Sequence, residues 1–346
     1  MFTHTQYVPI LRWKLAEQNA LRDLFPSTKS GITPLIEIPE MREVDSAMLM
    51  KCASSIALAW GNAPFFFDLG THTASIPINT AGTFFLKARN IRLSAIPTTG
   101  LGRSPQFQSV VAEVAEEDKR GICIRVLRDD IEKPGFNLAL KELMHSIHHE
   151  EGQIDIVIDL KIFRASDADL NRLLQSLPNL KKWRTITTVA GSFPKYLTGF
   201  SVGQHELERK EWIAWSAAIR NHNLPRIPTF GDYTVLHPYL SVPIPGMNIS
   251  ASIRYTAWEY WVIMRGEGLR NEGGPGYAQY PANAEMLTMR HDFTGPWFSA
   301  GDRYISEVAM KKDRTGSPTT WIQAGVNHHL TFVVDQLEKL FGRRGL

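Results

Sequence analysis

The stretch PLIEIPE, Pro34 to Glu40, reads as a short β-strand with one flaw: Glu37 sits where its neighbours are apolar. A carboxylate in a dry strand interior is costly unless it is paired or hydrated, so Glu37 marks either a misread strand or a site. The pattern around it recurs along the chain. Eight short apolar runs stand at regular spacing: YVPILRWK (7–14), ITPLIEI (32–38), PFFFDLG (64–70), LSAIPTT (93–99), GICIRVLR (121–128), IDIVIDL (154–160), RTITTVAG (184–191) and RIPTFGDY (226–233). Runs that are continuously apolar rather than alternating mark strands covered on both faces, as in a parallel sheet under helices. Eight is the number that closes a barrel. The pattern therefore predicts an α/β protein with a (β/α)8 TIM-like barrel, the alternative being an open doubly wound sheet.

Amphipathic stretches between these runs predict helices over 16–25, 44–60, 105–119, 137–151, 165–177 and 205–222. Two carry start signals: Ser104-Pro105 reads as an N-cap with proline in the first turn, and Ser166 with Asp169 reads as a capping box. After strand eight the spacing breaks. About 85 residues, 234–320, precede a last amphipathic helix over 321–341. They hold two adjacent β-like runs, 248–256 and 258–266, that read as a hairpin. A single barrel domain spanning 1–346 is expected, with 234–320 as an insertion or lid over the C-terminal face, where barrel enzymes place their chemistry.

On a barrel, polar residues late in each strand line or rim that mouth. They are Lys14 in strand one, Glu37 in two, Asp68 in three, Arg125 and Arg128 in five, Asp159 in six, and Asp232 with Tyr233 in eight. The four carboxylates Glu37, Asp68, Asp159 and Asp232 are the candidates for proton transfer or metal binding. Lys14, Arg125, Arg128, Tyr233, Arg254 from the hairpin and His328 from the last helix are the candidates for holding a ligand. The competing reading is a structural salt-bridge network, or side chains turned outward by a one-residue register shift.

Other signals exclude more than they assign. Thirty-eight basic against 35 acidic residues leave a net charge of +3, which indicates neither a nucleic-acid nor a membrane partner. Cys52 and Cys123 lack metal-type neighbours and read as buried thiols in a reducing compartment. The N-terminus has no signal-peptide pattern, so a cytoplasmic protein is expected. TTGLGRSPQ (98–106) could cradle an anion at a helix start but reads more simply as a βα turn. His145, His148 and His149 fall among charged residues as a solvated helix face. No GxSxG or HExxH pattern supports a known hydrolase class.

The segments YVPILRWKLAEQNAL, ITPLIEIPE, FFFDLG, FSAGDRYI and TTWIQAGVNHHLTFV, in that order, resemble the Beta protein family, named for the beta product of a phage satellite's gop–beta cassette. The resemblance spans nearly the whole chain and carries no catalytic residues with it. It implies a protective role, since Beta prevents the Gop product from killing the bacterial host. The expected protein is thus an antidote in a phage-defence or toxin–antitoxin cassette, acting on a neighbouring toxin or defence protein. The strand-end charges leave a second reading open: a metal- or acid/base-dependent hydrolase or lyase for a phosphorylated or nucleotide-like molecule, a small anionic ligand. The cofactor and any metal stay unknown at this level.

Overall fold

The computed structural model describes residues 2–40, 43–74, 76–220, 224–240, 246–311 and 314–342. Its strands are β1 (Ile10–Arg12), β2 (Leu35–Glu37), β3 (Phe65–Asp68), β4 (Ala95–Thr99), β5 (Ile122–Leu127), β6 (Ile154–Ile162), β7 (Thr185–Gly191), β8 (Gly203–Glu208), β9 (Thr229–Gly231), β10 (Ser250–Thr256) and β11 (Tyr260–Gly268). The helices are α1 (Leu15–Arg22), α2 (Pro26–Ser30), α3 (Ser46–Ala59), α4 (Ile78–Asn90), α5 (Pro105–Asp118), α6 (Arg128–Ile131), α7 (Phe136–Ser146), α8 (Leu170–Gln175), α9 (Lys210–Arg220), α10 (Gln279–Thr288), α11 (Ala300–Met310) and α12 (Pro318–Phe341). They fall into two compact units. The first holds Met1–Trp13, Gly31–Gly191 and Glu211–Tyr233; the second holds Lys14–Ser30, Ser192–Lys210 and Thr234–Leu346.

The first unit is the barrel. Eight strands hydrogen-bond in the order β1-β2-β3-β4-β5-β6-β7-β9, every neighbouring pair parallel. The two ends of that order join. Val8 N–H donates to the Phe230 carbonyl at 3.0 Å, and Ile10 N–H to the Asp232 carbonyl at 2.9 Å. An open sheet has two free edges; here they pair with each other, so the doubly wound alternative fails.

Side chains alternate across each strand, and the alternation decides what fills the barrel. Val8, Ile10, Leu35, Phe66, Ile96, Cys123, Val157, Val189 and Tyr233 form one buried cluster, drawing on every strand position round the ring. Their sequence neighbours face the helices instead. Phe67 packs edge-on against Phe85 of α4 at 5.8 Å, and Phe230 meets Trp212 and Trp215 of α9 at 5.0 and 5.3 Å. Ser104 caps α5 by accepting from the Phe107 N–H, with Pro105 in the first turn.

Three local expectations fail: the helix expected over 137–151 ends at Ser146, leaving His148 and His149 beyond it with His148 at φ +55°. The first four residues of the helix expected over 205–222 are a strand: in β8, GQHELE alternates half-buried and exposed positions and pairs antiparallel with β11. The helix, α9, begins at Lys210, and residues 221 and 222 lie outside the described residues. The start of α8 is capped by Asp169, which accepts from the Arg172 N–H, rather than by Ser166, because residues 165–168 form a separate 3-10 turn.

The second unit carries an antiparallel sheet in the order β10-β11-β8. Its β10–β11 pair is the hairpin expected from the sequence, closed by Ala257 N–H donating to the Tyr260 carbonyl at 2.8 Å. Ala251, Ile253 and Tyr255 of β10 pack with Tyr280, Ala284 and Leu287 of α10, Ile305 and Val308 of α11, and Trp321 and Ala324 of α12. Helix α12 starts at a Ser317 cap with Pro318 in its first turn. Among the described residues, no helix is long and apolar enough to cross a membrane.

Candidate functional site

In the barrel the last inward-facing position of each early strand is polar. Register pairs Arg12 of β1 with Glu37 of β2, and Glu37 with Asp68 of β3, so three charged residues stand side by side at one level. Arg125 of β5 reaches across to them. Its Nη1 donates to Glu37 Oε2 and, at 2.7 Å, to Asp68 Oδ2. Its Nε and Nη2 donate to Asp159 Oδ2 at 2.9 and 2.7 Å, and Nη2 also reaches the Tyr233 hydroxyl at 3.1 Å. Tyr233 in turn donates to Asp159 Oδ2 at 2.6 Å. All five side chains are buried. The glutamate of PLIEIPE is therefore paired inside a barrel.

Three cations surround this core. Arg103, from the β4–α5 turn, donates to Asp68 Oδ1 at 2.9 Å and to Thr73 at 3.1 Å. Lys161 Nζ lies 3.3 Å from Asp159 Oδ2, and its backbone N–H donates to Asp159 Oδ1 at 2.9 Å. Arg12 stands 4.0 Å from Glu37 and 5.8 Å from the Tyr233 ring centre. The site needs close backbone approach as well: a Cβ on Gly100 would fall 2.6 Å from the Arg125 carbonyl oxygen. At Lys161 the chain takes φ +56°, where the β6–β7 register shifts between Asp159 and Ile162.

Burial pushes Asp68 and Asp159 towards the neutral acid, but the charges beside them prevail. Arg103 and Arg125 hold Asp68 below the usual carboxylate range; Lys161, Arg125 and the Tyr233 hydroxyl hold Asp159 well below it. Burial and the Asp159 charge push the Tyr233 phenol up, so it stays a proton donor. Burial works against the Arg125 charge, and Glu37 and Asp159 more than restore it. Asp68, Asp159 and Arg125 are thus held in their charged forms, and neither aspartate is poised to release a proton near neutral pH. Among the described residues, no three His, Cys, Asp or Glu side chains stand where a metal could be held.

Of the residues expected at the mouth, Glu37, Asp68, Asp159, Arg125 and Tyr233 come together. Asp232 does not join the Arg125 hydrogen bonds: next to the inward Tyr233 on an extended chain, it faces the other way and accepts from the Tyr7 hydroxyl. Arg128 is buried at the start of α6, and its guanidinium donates to the Ile162 carbonyl at 3.2 Å, bracing the end of β6. Lys14, Arg254 and His328 belong to the second unit. Lys14 is exposed ahead of α1, and Arg254 donates to the Val235 carbonyl at 2.9 Å with its guanidinium 4.8 Å from the Phe193 ring centre.

His328 is the centre of a second buried network. Its Nδ1 meets Asp302 Oδ2 and its Nε2 the Thr256 carbonyl, each at 2.8 Å. Asp302 also accepts from Tyr255 at 2.9 Å, from Thr294 at 3.0 Å and from its helix cap Ser299 at 2.5 Å. Burial disfavours the Asp302 charge, yet His328 and these donors hold the carboxyl below its usual range. Both His328 nitrogens thus have an oxygen partner, Asp302 Oδ2 on one side and the Thr256 carbonyl on the other. Every polar atom of the pair is used, which marks it as a brace between α11, α12 and β10.

The model of the Beta protein family matches residues 7–335. The chain belongs to that family. A curated relative, Protein beta of Enterobacteria phage P4, is 25% identical over 365 aligned positions, covering 98% of this chain and 96% of the relative. Among solved structures, 2,3-dimethylmalate lyase, a member of the PEP mutase/isocitrate lyase superfamily, aligns over 67% of this chain and 81% of its own at 7% identity, with a TM-score of 0.36. The GH51 arabinofuranosidase of Xanthomonas axonopodis pv. citri aligns over 65% and 57% at 11% identity, with a TM-score of 0.26. Such distant likenesses add nothing to what the strand order of this Beta protein already shows.

Arg12, Arg103 and Lys161 were absent from the residues expected at the mouth of this Beta protein. Arg12 was legible by alternation, because Val8 and Ile10 face inward and Lys14 lies beyond the strand. Arg103 lies in the turn after β4, in GLGRS, and only the tertiary fold brings it onto Asp68, whereas Lys161 lies near the end of β6, in IDLK, and reaches Asp159 two residues back through the local bend.

Proposed function

We propose that this protein is the protective member of a phage-associated gene pair, an antidote that binds the product of a gene encoded beside it. The supporting observation is the end-to-end match to the Beta family, residues 7–335, together with the near full-length alignment to Protein beta of phage P4. The barrel mouth favours binding over chemistry. Its carboxylates are already engaged by Arg125, both aspartates are held ionised and the Tyr233 phenol is held neutral.

The test is survival of bacteria that express the toxic neighbour together with this chain. Wild type should protect, and Glu37→Gln and Asp159→Asn should protect equally wherever thermal melting shows them folded. Loss of protection in a folded Glu37→Gln protein would refute a binding-only antidote. It would instead favour the second reading, an enzyme for a phosphorylated or nucleotide-like molecule. One observation speaks for that reading: Arg103 and Lys161 keep part of their surface in solvent beside the carboxylates, and Lys161 is held at a strained φ of +56°.

A further inference from the structure

The sheet of the second unit carries its acids on one side and two arginines on the other. Residues opposite each other on antiparallel strands share a face, so Arg254 and Arg265 stand on one side with Ser252, Ile263, Trp261 and, from β8, His205. The other side is the one packed against helices through Ile253, Tyr255, Val262 and Met264. Glu206 and Glu208 of β8 pair with Val262 and Tyr260 and so point to that packed side, where Arg290 meets Glu206 at 2.7 Å. Glu267, past the irregular end of the hairpin, is engaged by Asn271 at 3.4 Å.

The two arginines are close and lack a counter-ion. Arg254 is opposite Ile263, and Arg265 is two residues further along the same strand. Such diagonal neighbours lie about 7–8 Å apart, a gap that long side chains span. Both guanidiniums lie against the segment that precedes β8: Arg254 stands 4.8 Å from the Phe193 ring centre, and Arg265 Nε donates to the Leu197 carbonyl at 2.8 Å. A guanidinium has five N–H groups to place. Arg254 uses one, from Nη1 to the Val235 carbonyl at 2.9 Å, and Arg265 a second, from Nη1 to the Gly266 carbonyl at 2.7 Å. Among the described residues these are their only side-chain hydrogen bonds, and neither arginine forms an ion pair.

Half-buried charges that meet only carbonyls are costly to hold without an anion. Burial pulls the Arg254 guanidinium down to about 10, which still leaves it charged at neutral pH. Another donor on this side, the buried Trp261 indole N–H, also lacks an acceptor among the described residues. There is room for a ligand beside Arg265: a Cβ on Gly203, its neighbour on β8 through the register, would meet nothing within 4 Å.

We propose that Arg254 and Arg265 form a binding site for a phosphate group, Arg254 offering the edge of Nε and Nη2 for a two-point contact and Arg265 its Nη2. Phosphate fits better than a carboxylate because two guanidiniums face it and no acid on that side opposes the second negative charge. The inference concerns a small phosphorylated ligand and does not depend on the antidote reading.

Binding of inorganic phosphate, adenosine monophosphate and acetate to the full chain is measured by equilibrium dialysis at constant ionic strength. The proteins are wild type, Arg254→Gln, Arg265→Gln and a control, Arg303→Gln, which removes an exposed charge from α11. Thermal melts check folding, and Arg254→Lys, which keeps the charge and loses the fork, replaces Arg254→Gln if that variant does not fold. Wild type should bind phosphate saturably below about 10 mM, each site variant about 10-fold or more weakly, and the control within about twofold of wild type. Acetate should bind wild type about 10-fold more weakly than phosphate does. If folded wild type binds neither phosphate probe saturably, or if the folded site variants bind within about threefold of wild type, the site is overturned. Acetate binding as tight as that of phosphate overturns the choice of ligand. Adenosine monophosphate binding about 10-fold tighter than inorganic phosphate upholds the site with a nucleotide as the source, and equal or weaker binding upholds it for the free ion.

Discussion

Replacing Arg125 by Met removes a buried guanidinium of similar length and leaves three carboxylates to fend for themselves. Their losses differ. Asp159 keeps Lys161 and the Tyr233 hydroxyl, and Asp68 keeps Arg103, whereas among the described residues Glu37 retains a cation only in Arg12 at 4.0 Å. The uncompensated charge is therefore chiefly that of Glu37, and stranding one buried ion of a pair costs about 3–5 kcal/mol. Against a total stability of about 5–15 kcal/mol this is large. Urea unfolding followed by tryptophan fluorescence reads it, with the barrel transition analysed separately if the two units unfold in two steps. Adding Glu37→Gln to Arg125→Met should recover about 1–3 kcal/mol, because the orphaned charge is gone.

The pH dependence has a definite sign. Asp68 and Asp159 are depressed in the folded state, so in wild type they add stability that is fully present above about pH 4 and is lost as pH falls through their folded values. Without Arg125 that contribution shrinks. The penalty of Arg125→Met should thus be greatest near pH 7 and diminish below about pH 4, as the carboxyls take up protons. A penalty under about 1 kcal/mol at pH 7, or one that does not change with pH, would show that the mouth is hydrated and that the cluster is not a locked network.

Three further outcomes follow from the same contacts. Tyr7→Phe removes the donor to Asp232, leaves a buried acceptor short, and should cost about 1–3 kcal/mol in the same unfolding assay. Gly301→Ala puts a methyl 2.2 Å from the Ala324 carbonyl oxygen, so α11 and α12 must move apart; a loss of about 1–3 kcal/mol is expected, and a stabilised variant would contradict the crossing. His328→Phe leaves the buried Asp302 carboxylate and the Thr256 carbonyl without this partner and should cost about 1–3 kcal/mol in the same assay; an unchanged unfolding midpoint would contradict the brace.

The barrel was legible because buried parallel strands leave a local mark: PLIEIPE, IDIVIDL and RTITTVAG are continuously apolar whatever lies far away in sequence. The clustering of Glu37, Asp68, Arg125, Asp159 and Tyr233 was legible for the same reason, each being a polar residue on the inward side of such a run. Asp232 was misplaced because the ends of strands this short are uncertain by a residue, and one residue reverses the face. The helix expected over 205–222 failed where HELE serves equally as an amphipathic first turn or as an alternating strand, and only pairing with β11 decides between them. The second unit is assembled from three separated stretches, 14–30, 192–210 and 234–346. The Asp302–His328 pair thus depends on contacts that no local pattern announces.

The most direct test of the central claim is to purify this protein together with the product of its neighbouring gene and measure the mass of what elutes by light scattering. The account predicts a single complex containing both chains, formed equally by wild type and by folded Glu37→Gln. Two separate species at micromolar concentration, from cells that the wild type nevertheless protects, would contradict it and return attention to chemistry at the Arg125 cluster.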